Sequence, residues 1–388
     1  MRWSDCAWLY TARVISAPVD YGMTAVQTLA HVVSAELSGD EAVAFEEHWA
    51  AFREAVATLP VRWQGNIDSA FNQVVIRSLD SIRIAARVAL PDDGAPVRGI
   101  VVTSHGYANV PEGFGEDPEP WSARGLATVR VRVRGYPPST MDIDDLRNDW
   151  IMHRPPHLAP HLSTHTSARS TAAANAWIVR GAVADIMQAV RCARAHFGES
   201  VPVTLHGESL GGGLGTMAAA QLSLMSAAPA RLILALPSLG DWRWRTLRYC
   251  NGAGGQLNIL LDALRGEERD NLLRGLLLYD AALHARHIAA PTLAKLATCD
   301  DVVPAPSAAA IYNAIGATHK WRFVTRFGHF EGGLADARRH AIFERMQVDF
   351  AEPDRSPEQV IAEYRHLLDL PESRAESEDL HATAKRIQ

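Results

Sequence analysis

The period of the hydrophobic positions changes along this chain. In TAVQTLAHVVSAEL and DEAVAFEEHWAAFREAVATL apolar residues return every three to four positions, the spacing of an amphipathic helix, so residues 1–65 are expected to form an N-terminal helical segment. Such helices would pack on the main domain or on a partner subunit, or form a lid. From Phe71 the runs FNQVVIRS and IRIAARVAL are strand-like and flank Leu79-Asp80-Ser81, which predicts a β-hairpin. Strand and helix patterns then alternate. The predicted strands are Gly99–Ser104, Ala127–Val133, Val201–His206, Arg231–Leu236, Thr292–Ala297 and Trp321–Phe327. The predicted helices include Ala176–His196, Gly212–Met225, Gln256–Arg265, Pro306–Ile315 and Leu334–Phe350. This order implies an α/β fold, a mostly parallel, doubly wound sheet with helices on both faces, over residues 66–352. In such sheets the chemistry gathers at the carboxyl ends of the strands. The charged stretch 353–388 reads as a peripheral helix and tail.

Composition narrows the function classes. The 388 residues, 47% hydrophobic and with a net charge of -6, can bury a large core, and no basic run offers a footprint for nucleic acid. Cys6, Cys192, Cys250 and Cys299 are too few and too scattered for a disulfide framework. Asp5 and Arg13 interrupt what a signal peptide would need as an apolar core, and no apolar run approaches the roughly 20 residues of a membrane span. A soluble, cytoplasmic protein is expected, with no nucleic-acid or membrane partner.

The stretch HGESLGGG, residues 206–213, follows the apolar run VPVTL and precedes a helical pattern. Gly207-Glu208-Ser209-Leu210-Gly211 matches G-x-S-x-G, in which a serine sits on a sharp turn between strand and helix, and Gly207 and Gly211 let those two elements approach. A glycine-rich helix start is the plainer reading. A phosphate-cradling loop fits less well, because no Lys-Ser or Lys-Thr comes after the glycines. A serine hydroxyl needs a base, and the base a group that fixes its tautomer. Downstream, Asp300 and Asp301 stand at a strand end, Asp300 directly so, and His329 comes after the next strand. His319 lies at that strand's wrong end and His340 within the following helix. An oxyanion pocket would draw on the backbone N–H groups of Leu210 and of Tyr107, in the loop His105-Gly106-Tyr107 after an early strand.

HGY at 105–107, VRVRG at 131–135, the helix IVRGAVADIMQAV leading to GESLGGG, DDVVPAPSAAAIYNAIG and GHFEGG at 328–333 together resemble the acetyl xylan esterase and cephalosporin-C deacetylase family of α/β-hydrolases. The resemblance implies Ser209 as nucleophile, Asp300 as acid, His329 as base, the N–H groups of Tyr107 and Leu210 as oxyanion hole, and Tyr107 and Glu208 as substrate contacts. It also implies hydrolysis of small acyl esters, typically acetyl groups on sugars or related alcohols, without a cofactor, by a homo-oligomer. The chain departs from the family pattern at Tyr136-Pro137 after Arg134-Gly135, at Leu210 after the serine, and at Phe330 between His329 and Glu331. Hydrolases that cut carbon–carbon bonds beside a ketone share this serine, acid and histidine order and stand as an alternative, as does a non-catalytic binding protein on the same fold. His153, His157, His161 and His165 recur every four residues, but Pro155, Pro156 and Pro160 argue against one helical face, so a loop is expected there rather than a metal site.

Overall fold

The computed structural model describes residues 21–34, 36–67, 71–91, 94–107, 110, 113–114, 119–139, 150–157, 174–326, 329 and 334–369. Its strands are β1 (Trp63–Gln64), β2 (Phe71–Arg77), β3 (Arg83–Ala89), β4 (Gly99–Ser104), β5 (Leu126–Val131), β6 (Val203–Glu208), β7 (Arg231–Ala235), β8 (Thr292–Ala297) and β9 (Lys320–Thr325). They form one sheet in the order β1-β2-β3-β5-β4-β6-β7-β8-β9. The β1, β2, β3 edge pairs antiparallel, and every pairing from β5 to β9 is parallel. The side chains explain the difference. Strand β2 alternates exposed and buried positions, as an edge with one wet face must, whereas β4, β7 and β8 are buried along their whole length. Helices cover both of their faces, so IVV within β4 and LILA within β7 are unbroken apolar runs.

The helices are α1 (Ala25–Leu29), α2 (Gly39–Ala57), α3 (Ile178–Phe197), α4 (Leu210–Leu224), α5 (Trp242–Arg245), α6 (Ala253–Ala263), α7 (Gly266–Leu278), α8 (Ala281–Ala285), α9 (Ala305–Ala314), α10 (Leu334–Ala351) and α11 (Pro357–Tyr364). The main core lies between the sheet and α3, α4 and α9, and a second cluster packs beneath α10 and α11. Cys192, Cys250 and Cys299 are free thiols. Among the described residues no helix is long and apolar enough to cross a membrane.

The expected N-terminal helices form only in part. Helix α2 is capped by Ser38 in a reciprocal capping box with Glu41 and buries Phe45, Trp49, Phe52 and Val56. Trp49 is fully buried; its indole N–H donates to Leu278 O at 2.7 Å, and its ring meets Phe52, Tyr279 and His284 edge-on. Among the described residues of TAVQTLAHVVSAEL, by contrast, only Ala25–Leu29 are helical. Asp241 captures the residues just beyond: His31 Nε2 lies 2.7 Å from its carboxylate, and Ser34 donates to it from N at 3.1 Å and Oγ at 2.7 Å. Tertiary hydrogen bonds there outweigh a helix propensity of a few tenths of a kcal/mol per residue. The result is an irregular strap over α5 and α9, where Asn313 Nδ2 donates to Leu29 O and His31 O.

VRVRG, one of the stretches behind the resemblance, has a structural use in this chain. Arg134 is buried and donates to Asp185 of α3 from Nη2 at 2.9 Å, from Nε at 3.1 Å and from its own backbone N at 2.8 Å, and it reaches Asp80 and Leu79 O in the hairpin turn at 3.2 Å. Gly181 makes room for it, since a Cβ there would fall 2.0 Å from Arg134 Nη1. The hairpin, the end of β5 and α3 are thus pinned to one guanidinium.

Truncating Trp49 to alanine is expected to cost about 3–5 kcal/mol by urea unfolding, the range for deleting a buried aromatic; a loss under about 1 kcal/mol would mean that α2 is not docked on the core. A second expectation concerns acid. Burial lowers His105 and His206 to about 4, and His48 and His284 to about 3, while it raises Asp280 to about 7. The unfolded chain takes up protons on these histidines near pH 6.5 and the folded chain does not, so their contribution is present above that pH and is lost as pH falls toward 4. Asp280 acts oppositely, because its folded form holds a proton that the unfolded form releases above about pH 4. Four histidines outweigh one carboxyl, so the free energy of unfolding should fall by at least about 2 kcal/mol from pH 7 to pH 5. Stability that is flat or rising over that interval would contradict the burial of these imidazoles.

Candidate active site

Ser209 stands between the end of β6 and the start of α4, with φ 51° and ψ −111°. A non-glycine residue with positive φ is strained, by an order of 1–3 kcal/mol, and persists only where its surroundings hold it. Here they do: Ser209 N donates to Ala235 O at 2.8 Å, and Ser209 O accepts from Gly213 N at 3.1 Å and Ser238 N at 3.0 Å. The two glycines of the motif are required by contact. A Cβ on Gly207 would lie 2.2 Å from Gly211 O, and one on Gly211 would lie 2.4 Å from Ser104 O. Strand β6, helix α4 and the end of β4 therefore meet at backbone distance, and Ser209 is pushed outward at the carboxyl edge of the sheet.

The loops after β8 and β9 bring in the other predicted residues. Asp300, buried behind the site, receives at Oδ1 the N–H groups of Val302 at 2.9 Å and Val303 at 3.0 Å. Its Oδ2 lies 2.5 Å from His329 Nδ1. On the far side of that ring, Nε2 lies 2.8 Å from Ser209 Oγ. A carboxylate can only accept, so Nδ1 carries the proton and Nε2 is left to accept from the serine hydroxyl. Asp301 faces elsewhere and is bonded by Asn251 Nδ2 at 3.0 Å. His319 pairs with Glu358 and His340 with Lys295, both away from the serine.

Leu210 is the first residue of α4, where its N–H has no partner within the helix. The loop after β4 lies alongside, for a Cβ on Gly106 would sit 3.8 Å from Ser209 Cβ. Tyr107, next in that loop, is held from three directions: its hydroxyl donates to Gln256 of α6 at 3.1 Å and accepts from Ile151 N at 3.2 Å, and its carbonyl accepts from Tyr136 OH at 2.9 Å. Tyr136, where the chain departs from the family pattern, thus braces this loop. A small cavity of about 30 Å³ is bordered by Tyr107, Ile151, Ser209, Leu210, Ser238, Leu239, Arg245, Ala253, Gly254, Val302 and Val303. A roomier cavity of about 180 Å³ lies between Pro60, Arg62, Gln64, Val75, Arg77 and Arg83, at the antiparallel edge and without a nucleophile. Glu208 is exposed at the end of β6 and does not border the smaller cavity.

Two residues near the site carry no sequence signal. Tyr21, in the N-terminal strap, donates its hydroxyl to the backbone carbonyl of Asp300, and burial together with the neighbouring Asp300 holds its phenol well above the usual range. Arg245 enters from α5. Of the spaced histidines, His153 and His157 are described, and His161 and His165 lie outside the described residues. Among the described residues no group of histidine, cysteine or carboxylate side chains has the arrangement of a metal site.

The Acetyl xylan esterase (AXE1) family model matches residues 44–346. Among solved structures, acetyl xylan esterase 1 from Thermoanaerobacterium sp. JW/SL YS485 superposes with a TM-score of 0.64 at 17% identity, covering 84% of this chain and 99% of that one. The acetyl xylan esterase from Paenibacillus sp. R4 gives 0.63 at 17% identity, covering 83% and 99%. At that identity the superpositions speak for the shared α/β-hydrolase fold. No curated protein sequence matches the chain. The sequence match over most of its length, on a sheet of this topology, makes the chain a member of the acetyl xylan esterase family and a carboxylic ester hydrolase.

Proposed function

We propose that the chain hydrolyses small acyl esters, acetyl esters of sugars or related alcohols foremost, by acyl transfer through Ser209. The observation that carries this reading is the line of contacts from Asp300 through His329 to Ser209, 2.5 Å and 2.8 Å long, ending on a serine held at positive φ. His329 Nε2 takes the hydroxyl proton as Oγ attacks the ester carbonyl, and Asp300 stabilises the imidazolium that forms. Negative charge then develops on the carbonyl oxygen. The N–H groups of Leu210 and Tyr107 are the donors offered to it, with the positive end of α4 behind Leu210. His329 returns the proton to the departing alcohol, and water repeats the sequence on the acyl-enzyme. The cavity beside the serine is small, about 30 Å³, which supports a short acyl group.

Replacing Ser209 by alanine should lower kcat on nitrophenyl acetate by about 10⁴- to 10⁶-fold, by analogy with other serine triads. A loss under about tenfold would assign the chemistry to another residue. Across nitrophenyl acetate, butyrate and octanoate, kcat/KM should decline with chain length; faster turnover of octanoate would reject the short-acyl reading.

A further inference from the structure

Arg245 differs from Arg134, Arg87 and Arg231, three other buried arginines. Arg134 is paired with Asp185, Arg87 with Glu119, and Arg231 with the carbonyls of Glu352 and Arg355. Arg245 is 2% exposed, yet among the described residues its Nε and Nη1 have no hydrogen-bond partner and no carboxylate is paired with it. Its side-chain polar contact is Nη2 to Cys250 Sγ at 3.9 Å, a weak acceptor. The guanidinium lies against Gly254, where a Cβ would come within 2.3 Å of Nη2 and 2.4 Å of Nε, and 5.2 Å from the Trp242 ring. A buried cation with orphaned donors is strongly unfavourable unless something completes it.

Arg245 borders the same cavity as Ser209 and Leu210, and the cavity has room for a group the size of one or two waters. A carboxylate has that size, is planar, and matches the fork of N–H groups that a guanidinium presents. We propose that Arg245 is a specificity-determining residue that receives a carboxylate carried by the ester substrate, on its acyl or its alcohol half, so that the enzyme prefers anionic esters to neutral ones of the same shape. Gly254 seats the guanidinium for this purpose. The inference rests on the reading of Ser209 as the esterase nucleophile, and it adds the charge of the substrate.

The test uses the full chain and two matched pairs. Acetoxyacetate against acetoxyacetamide places the charge on the alcohol half, and monoethyl against diethyl succinate places it on the acyl half. In at least one pair the charged ester should have kcat/KM higher by about tenfold or more; Arg245→Met should erase that preference, and Arg245→Lys, which keeps the charge and loses the fork, should retain part of it. Calorimetry with glycolate and succinate reads binding without turnover, and the matching anion should bind the wild type at least about tenfold more tightly than Arg245→Met. Equal turnover within both pairs, with no anion bound by the wild type, overturns the proposal while leaving the esterase intact. If neither these esters nor nitrophenyl acetate is cleaved, the reading of Ser209 fails, and calorimetry still decides whether Arg245 takes a carboxylate.

Discussion

Strand β6 and helix α4 approach each other so closely that no side chain fits between them, and the rest of the site depends on that approach. Gly207 and Gly211 touch backbone to backbone, the chain must reverse within one residue, and that residue is Ser209 at positive φ. The strain is offset by the hydrogen bonds that Ser209 makes through its own N–H and carbonyl to Ala235, Gly213 and Ser238. The bonds to Ala235 and Ser238 come from β7 and the loop after it, β7 lying parallel to β6 with Glu208 opposite Ala235, and the bond from Gly213 belongs to the first turn of α4. The parallel sheet is therefore the clamp that holds the serine out toward His329.

Around this point the fold supplies two further supports. From behind, Arg134 ties the hairpin and α3 to the end of β5, next to the loop that Tyr107 and Tyr136 brace. From in front, the N-terminal strap crosses from Asn313 to Asp241 and ends with Tyr21 on the carbonyl of Asp300. Asp300 is thus fixed at its carboxylate by Val302 and Val303 and at its carbonyl by Tyr21, which limits how far the acid can turn away from the imidazole.

Much of this was legible in the chain, for physical reasons that differ from residue to residue. The glycine spacing around Ser209 announces a contact no other side chain tolerates, Asp300 stands at the end of an apolar run, and His329 follows the next strand-like run. The α/β architecture was implied by the alternation, and the observed bounds of α4 and α10 lie within a residue or two of those expected. Three features were not legible. The helix expected over 24–37 gives way to a strap because Asp241, more than two hundred residues away, captures His31 and Ser34. Helices α7 and α8 were not foreseen, since their burial comes from α2 and α4 rather than from a local pattern. Tyr21 and Arg245 reach the site from segments with no motif, through contacts that exist only once the chain has folded.

The central claim is that Ser209, activated by His329, is the nucleophile, and covalent trapping tests it most directly. An activated phosphonate ester should label the native protein once, on Ser209, with loss of esterase activity in step with labelling, and the His329→Ala protein should label far more slowly. Labelling at another residue, or full esterase activity after Ser209 is blocked, would contradict the account.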